Sequence, residues 1–215
     1  MRKLIYIIGV DGSGKTTLAK GLVSHFNKKG FNLCYLYARH FPILLFPFKI
    51  ISKILLYQKH SEFQNYHKYS EIKGNFSNRH RIIARLYAFI WVIDYLIISF
   101  FPVHWKLIRH QNIIVDRYIG DVVVNISVAS KLRLKEEKYL LKLFHLFFPK
   151  PHQSFFINVN EEVAFKRKND IQSIEYLKKR KQKYFDIQPF YRFEVVDGNK
   201  SKDALKHLVA KKIQL

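Results

Sequence analysis

The chain has 215 residues, 48% of them hydrophobic, which is enough for one large α/β domain with a substantial buried core. Its 38 basic and 16 acidic residues leave a net charge of +22, a field that attracts polyanions such as nucleotides, nucleic acid or an acidic membrane surface. A single cysteine, Cys34, excludes a disulfide framework within the chain and offers no zinc site, which fits a reducing, cytoplasmic setting.

Residues 3–8 are a run of Leu, Ile and Tyr without alternation. Buried central strands of a parallel sheet look like this. Arg2 and Lys3 ahead of the run imitate a targeting signal, but the run is short and flows straight into a glycine-rich turn, so it reads as a first strand. Residues 15–29 have helical spacing, with Leu18, Leu22 and Phe26 on one side and Gly30 as the stop. Residues 32–37 read as a second strand, with Cys34 buried in it. An apolar helix ends near Tyr57, and a polar stretch rich in Tyr, His and Asn follows over 58–78. A long helix from about Asn78 is expected to end at Pro102, with a shorter helix leading to a third strand at 112–116. Helices near 120–130 and 134–148 precede a fourth strand at 155–159. Residues 161–187 read as one basic helix, 193–196 as a fifth strand, and 201–213 as a closing helix capped by Ser201.

Strands alternating with helices imply a five-stranded parallel sheet covered on both faces, a three-layer α/β/α arrangement. Ligands of such sheets bind beyond the carboxyl ends of the strands.

Two apolar stretches invite a membrane reading. Residues 82–101 are long enough to cross a bilayer. Arg85 and Asp94 lie inside the stretch, however, and Ile82, Leu86, Phe89, Ile93, Leu96 and Phe100 form a packing stripe at spacings of four and three. Residues 41–57 are interrupted by Pro42, Pro47, Lys49 and Lys53, which argues against a straight span. Lys49 and Lys53 share a face, so a helix over 43–58 resting on a membrane stays open. The basic residues are scattered, with clusters at 178–183 and 200–212, and the usual nucleic-acid signatures are absent. Nucleic acid and membrane are therefore weaker expectations than a small anionic ligand.

Gly9, Gly14, Lys15 and Thr16 fit the pattern G-x-x-x-x-G-K-[ST] in full, with Val10, Asp11, Gly12 and Ser13 between the glycines and Thr17 after. The pattern sits directly after a strand and opens a helix, as its chemistry requires. Glycines let backbone N–H groups approach phosphates, and the helix N-terminus adds partial positive charge. Lys15 is placed for the β and γ phosphates, and the Thr16 hydroxyl for Mg²⁺. This predicts a P-loop fold that binds ATP with Mg²⁺.

The third strand ends in Asp116, Arg117 and Tyr118, with Asp121 following. A carboxylate there can hold the metal or orient an acceptor. Arg117 would bring positive charge to a transferred phosphoryl.

Together these motifs resemble the thymidylate kinase family. Its phosphate loop of the form G-x-D-G-x-G-K-[ST]-T is matched by residues 9–17, and its Asp-Arg-Tyr by residues 116–118. Val195, Val196, Asp197 and Gly198 are similar to its last strand and adenine loop. Glu161, Glu162, Ala164 and Arg167 are similar to its segment entering the lid. The resemblance implies transfer of the γ-phosphoryl of ATP to a nucleoside monophosphate, dTMP-like, or a related small acceptor. It also implies a homodimer, for which the apolar helices offer a surface. Three positions depart from the pattern; at one of them Asp121 follows Tyr118 where the family usually has Ser. Ala38, Arg39, His40, Phe41 and Pro42 stand where the family has Arg-Glu-Pro, and Asp94-Tyr95 stands where it has an Asp-Arg pair. Arg39 is the candidate for the acceptor phosphate.

The chain then divides into a single kinase domain over 1–215, with an acceptor-side helical region at about 41–110 and a basic lid segment at about 160–187. Tyr87, Trp91 and Asp94 fall on one helical stripe that could stack and hydrogen-bond a base; core packing is the competing reading. Tyr118 and Asp121 complete the acceptor candidates. Lys166, Arg167 and Lys168, with Arg180 further on, supply the lid's positive charge, and Arg167 is the candidate for stabilising the transferring group. The histidines show no metal-ligand spacing. Two other readings compete: a regulatory NTPase, which would be expected to carry N-K-x-D or further domains, and a basic binding protein with a relic phosphate loop, against which the intact Lys15, Thr16 and Asp116 argue.

Overall fold

The computed structural model describes residues 3–38, 43, 81–109, 112–168, 171 and 173–214. In chain order these form β1 (Lys3–Gly9), α1 (Lys15–Lys28), β2 (Leu33–Tyr37), α2 (Arg81–Arg109), β3 (Asn112–Asp116), α3 (Ile119–Ser130) and α4 (Leu134–Phe147). They continue with β4 (Gln153–Asn158), α5 (Glu161–Lys166), α6 (Ile174–Asp186), α7 (Gln188–Tyr191), β5 (Glu194–Asp197) and α8 (Lys202–Lys212). The five strands are all parallel, in the order β2-β3-β1-β4-β5.

The near-continuous apolar run of β1 has the burial it predicts, because helices cover both faces. Ile5 and Ile7 point into a core with Leu18, Leu22 and Phe26 of α1 and Leu205 and Val209 of α8. Leu4, Tyr6 and Ile8 point the other way, into a larger core built with α2, α3, α4, α6 and α7. Full burial of each such side chain contributes about 1.5–3 kcal/mol. The result is the expected three-layer α/β/α arrangement.

The strand register lines up the functional ends. Ile7 and Tyr37 both pair with Asp116, Gly9 pairs with Ile157, and Asn158 pairs with Asp197. The chain leaves central β1 for β2 and β3 on one side, then crosses to β4 and β5 on the other. The carboxyl end of β1 is therefore the topological switch point, where a crevice must open.

Two expectations are corrected. The long helix does not end at Pro102: α2 runs through it to Arg109. Phe101 and Pro102 are exposed, so the proline ring lies on the solvent face of the helix rather than in the core. His104 Nδ1 also lies 2.8 Å from the carbonyl of Phe100, a side-chain contact in the turn the proline disturbs. The basic segment at 161–187 is not one helix. Asn160 caps α5 by accepting from Glu162 N at 2.8 Å, and Ser173 caps α6 by accepting from Tyr176 N at 3.1 Å. Ser173 competes for the backbone N–H groups that a continuous helix would bond internally, and so starts a new one.

The segment at 88–109 is apolar and long enough to cross a membrane. In this fold its Ala88, Val92, Tyr95 and Val103 are buried in the core, and Lys106 Nζ donates to Tyr35 O at 2.9 Å. The suggested helix over 43–58 lies outside the described residues, as does most of the region at 41–77.

Candidate active site

The glycine-rich turn joins β1 to α1 and opens on a groove of about 790 Å³ lined by residues of the loop, α1, Arg117, Arg167, Gly198 and α8. Gly14 is the N-cap of α1 with φ of 89°, so the helix opens without a side-chain cap and without an acid in its first turn. The first N–H groups and the positive end of the helix dipole are left for an anion. Gly12 has φ of 80°, and a Cβ there would lie 2.2 Å from the carbonyl oxygen of Ala164. The start of the basic segment thus packs directly on the phosphate loop.

Lys15 is 4% exposed, and its Nζ donates to Gly9 O at 2.7 Å and Val10 O at 2.8 Å. Burial, reinforced by the nearby Arg117 cation, lowers its pKa to about 8. Asp116 is fully buried at the end of β3. Its Oδ2 accepts from the Thr16 hydroxyl at 2.6 Å and the Tyr35 hydroxyl at 3.1 Å, while its buried Oδ1 has no hydrogen-bond partner among the described residues. A buried carboxylate oxygen without a partner is costly and calls for a cation or donor.

Arg117 adopts a left-handed φ of 64°, which turns its side chain onto the loop, where it donates to Asp11 Oδ1. Burial alone would raise the pKa of Asp11. The cations of Arg180, Lys15 and Arg117 outweigh that and hold its carboxyl well below the usual carboxylate range.

Of the residues singled out in the sequence, Asp11, Gly12, Ser13, Gly14, Lys15, Thr16, Thr17, Arg117, Arg167 and Gly198 line one groove. Gly9 sits behind them, where a Cβ would meet Ser13 Oγ at 2.6 Å. Arg167 is the C-cap of α5 and donates to Gly198 O at 3.3 Å, joining the lid segment to the loop after β5. Asp197 is exposed and accepts from Asn199, closing its own turn beside the groove.

Other placements differ from expectation. Tyr118 is fully buried and donates to Pro149 O at 2.9 Å, so it is a core residue and does not meet a ligand in the groove. Asp121 is 1% exposed and accepts from the hydroxyls of Tyr6 and Tyr184, both at 2.6 Å, so it is an internal anchor rather than an acceptor contact. Both residues follow the Asp-Arg turn into α3, whose first turn is packed against the sheet. Trp91 is half-buried against the core. Asp94 is 1% exposed, and neither carboxylate oxygen has a hydrogen-bond partner among the described residues. Arg39 and the Tyr87 side chain lie outside the described residues.

Two polar contributors were not anticipated: Tyr35 braces Asp116 and Tyr6 braces Asp121. Arg180, expected among the lid cations, is instead buried and reaches Asp11. Tyr6 and Tyr35 read as ordinary apolar strand positions. The one available signal was the spacing of four between Tyr176, Arg180 and Tyr184, which puts them on a single helix face.

No family model matches the chain. It is 30% identical over 221 residues to "Probable thymidylate kinase 1" of Saccharolobus solfataricus, a match that spans 100% of this chain and 98% of that protein. The chain belongs to the thymidylate kinase family.

Membership in the thymidylate kinase family implies use of ATP and Mg²⁺, and the residues present fit both. The groove has the volume of a nucleotide-sized site and a helix N-terminus plus Lys15 at its floor. Asp116 Oδ1, without a partner among the described residues, and the Thr16 hydroxyl beside the same carboxylate are a hard oxygen set suited to Mg²⁺.

Proposed function

We propose that this chain is an ATP-dependent kinase that moves the γ-phosphoryl group to a nucleoside monophosphate, dTMP-like, or to a related small acceptor. Family membership supports a nucleotide kinase. The observation that carries the finer reading is a groove lined by an uncapped helix N-terminus, a buried lysine and Thr16, whose hydroxyl bonds the buried Asp116 carboxylate directly behind the lining.

The α1 N–H groups and Lys15 hold the phosphates of ATP. Asp116 and Thr16 hold Mg²⁺, which when bound neutralises charge on the β and γ oxygens. Arg117 lies at the loop for the transferring group, and Arg167 approaches from the lid segment. In-line phosphoryl transfer needs little covalent help, so positioning and fixed charge are what the chain must supply. Asp94 offers two buried acceptor oxygens for an N–H or O–H of the acceptor. Arg39 and Tyr87 keep the acceptor roles that the sequence suggests.

The test is phosphate transfer from labelled ATP with Mg²⁺ to a panel of nucleosides, nucleoside monophosphates and simple sugars, with Lys15→Ala as control. A single labelled product that vanishes in the variant is expected, and its identity names the acceptor. ATP binding with no labelled acceptor would overturn the kinase reading and turn attention to DNA and liposome binding.

A further inference from the structure

Asp11 poses an electrostatic problem. It is an acid in the lining of a groove built for phosphates, next to Lys15 and Arg117. Left to itself, its charge would repel phosphate oxygens and draw Lys15 onto the carboxylate that already holds Arg117. The structure contains a third cation, on the protein side of Asp11. Arg180 of α6 is 3% exposed, and its Nη1 lies 3.5 Å from Asp11 Oδ2, opposite the oxygen that Arg117 holds.

Arg180 is locked in place from below. Nη1 donates to the Tyr176 hydroxyl at 2.8 Å and Nη2 to the Tyr184 hydroxyl at 3.2 Å. Tyr184 donates in turn to Asp121 Oδ1, whose other oxygen is held by Tyr6 of β1. The chain of contacts runs from β1 through α3 and α6 to the phosphate loop, and every member of it is buried or nearly so. The Arg180 Nε has no hydrogen-bond partner among the described residues. An arginine is therefore kept here at a cost in desolvation that an apolar side chain would avoid.

We propose that Arg180 is a positioning residue that neutralises part of the charge of Asp11 from the protein interior, so that Lys15 stays available to the phosphates of the nucleotide and Asp11 holds Arg117 through one oxygen only. The Asp121, Tyr184 and Tyr6 network fixes its guanidinium for that purpose. Because Arg180 sits on α6, the second helix of the lid segment, it also ties that helix to the phosphate loop. The proposal rests on the reading of the groove as the ATP site.

The experiment measures Mg²⁺·ADP binding by calorimetry for the unaltered chain, Arg180→Met, Asp11→Asn and the double variant, with thermal unfolding of each. Arg180→Met is expected to weaken ADP roughly thirtyfold or more, the low end of what is seen when one partner of a buried charge pair is lost. Adding Asp11→Asn is expected to restore binding to within about threefold of Asp11→Asn alone, since the charge to be neutralised is gone. A purely structural arginine would show no such rescue, and equal losses in the single and double variants overturn the proposal. If the unaltered chain binds ADP and Arg180→Met binds it equally well, Arg180 has no such role while the ATP site stands. If the unaltered chain itself fails to bind, both readings fall. If neither Arg180→Met nor the double variant folds, Arg180 serves the core and the proposal is overturned.

Discussion

At the scale of single residues, the groove is governed by charges that burial has shifted. Lys15 in the free protein loses its proton near pH 8, earlier than an ordinary lysine, because the desolvated ammonium is disfavoured. The cation is fully present below that pH and disappears as pH rises, whereas bound phosphate would restore it. ATP affinity is therefore expected to fall by up to about tenfold per pH unit above 8, and calorimetry between pH 7 and 9.5 reads it. In Lys15→Met that slope should vanish. Asp116→Asn keeps an oxygen for the Thr16 and Tyr35 hydroxyls but removes the negative charge. Its expected effect is a loss of roughly tenfold or more in the gain that Mg²⁺ gives to nucleotide binding, measured by titration with and without the metal. Arg167→Ala should lower kcat by about a hundredfold while ATP Kd moves by less than about threefold; equal losses in the two would remove it from transition-state stabilisation.

At the scale of elements, local chemistry explains most boundaries, and the exceptions are instructive. Leu18, Leu22 and Phe26 fix the buried face of α1, and Ser201 caps α8 by accepting from Ala204 N. The apolar run at 113–115 ends in Asp116, where the structure ends β3. A proline was expected to stop α2, but a proline on the exposed side of a long packed helix costs only a kink. The serine that divides the basic segment is a cap with a weak signal, since Ser173 is not followed by an acid at the third position. Removing it in Ser173→Ala should cost about 1 kcal/mol, a fall of about 2–4 °C in Tm for a chain this long. Gly12→Ala should be far worse for function. Its Cβ would meet the Ala164 carbonyl, so α5 must leave the phosphate loop, and loss of nucleotide binding with the far-ultraviolet circular dichroism retained is the expected outcome.

At the scale of the whole molecule, α2 carries a long row of exposed apolar side chains, including Phe89, Ile97, Phe101, Trp105 and Ile108. Such a row marks a contact surface, and a homodimer through it is the expected state. Sedimentation should give a dimer that Phe101→Lys dissociates. A monomer that binds anionic vesicles would instead revive the membrane reading. The amino-acid order alone determined the alternation of strands and helices, the parallel sheet and the phosphate loop. These rest on interactions between near neighbours: apolar runs, glycines at a tight turn and a helix that follows at once. Tertiary structure alone decided that Tyr118 is core, that Asp121 anchors two tyrosines, and that Arg180 stands behind Asp11. Those roles depend on which side chains meet across separations of tens to more than a hundred residues, and a polar residue looks the same in sequence whether it faces a ligand or a buried partner.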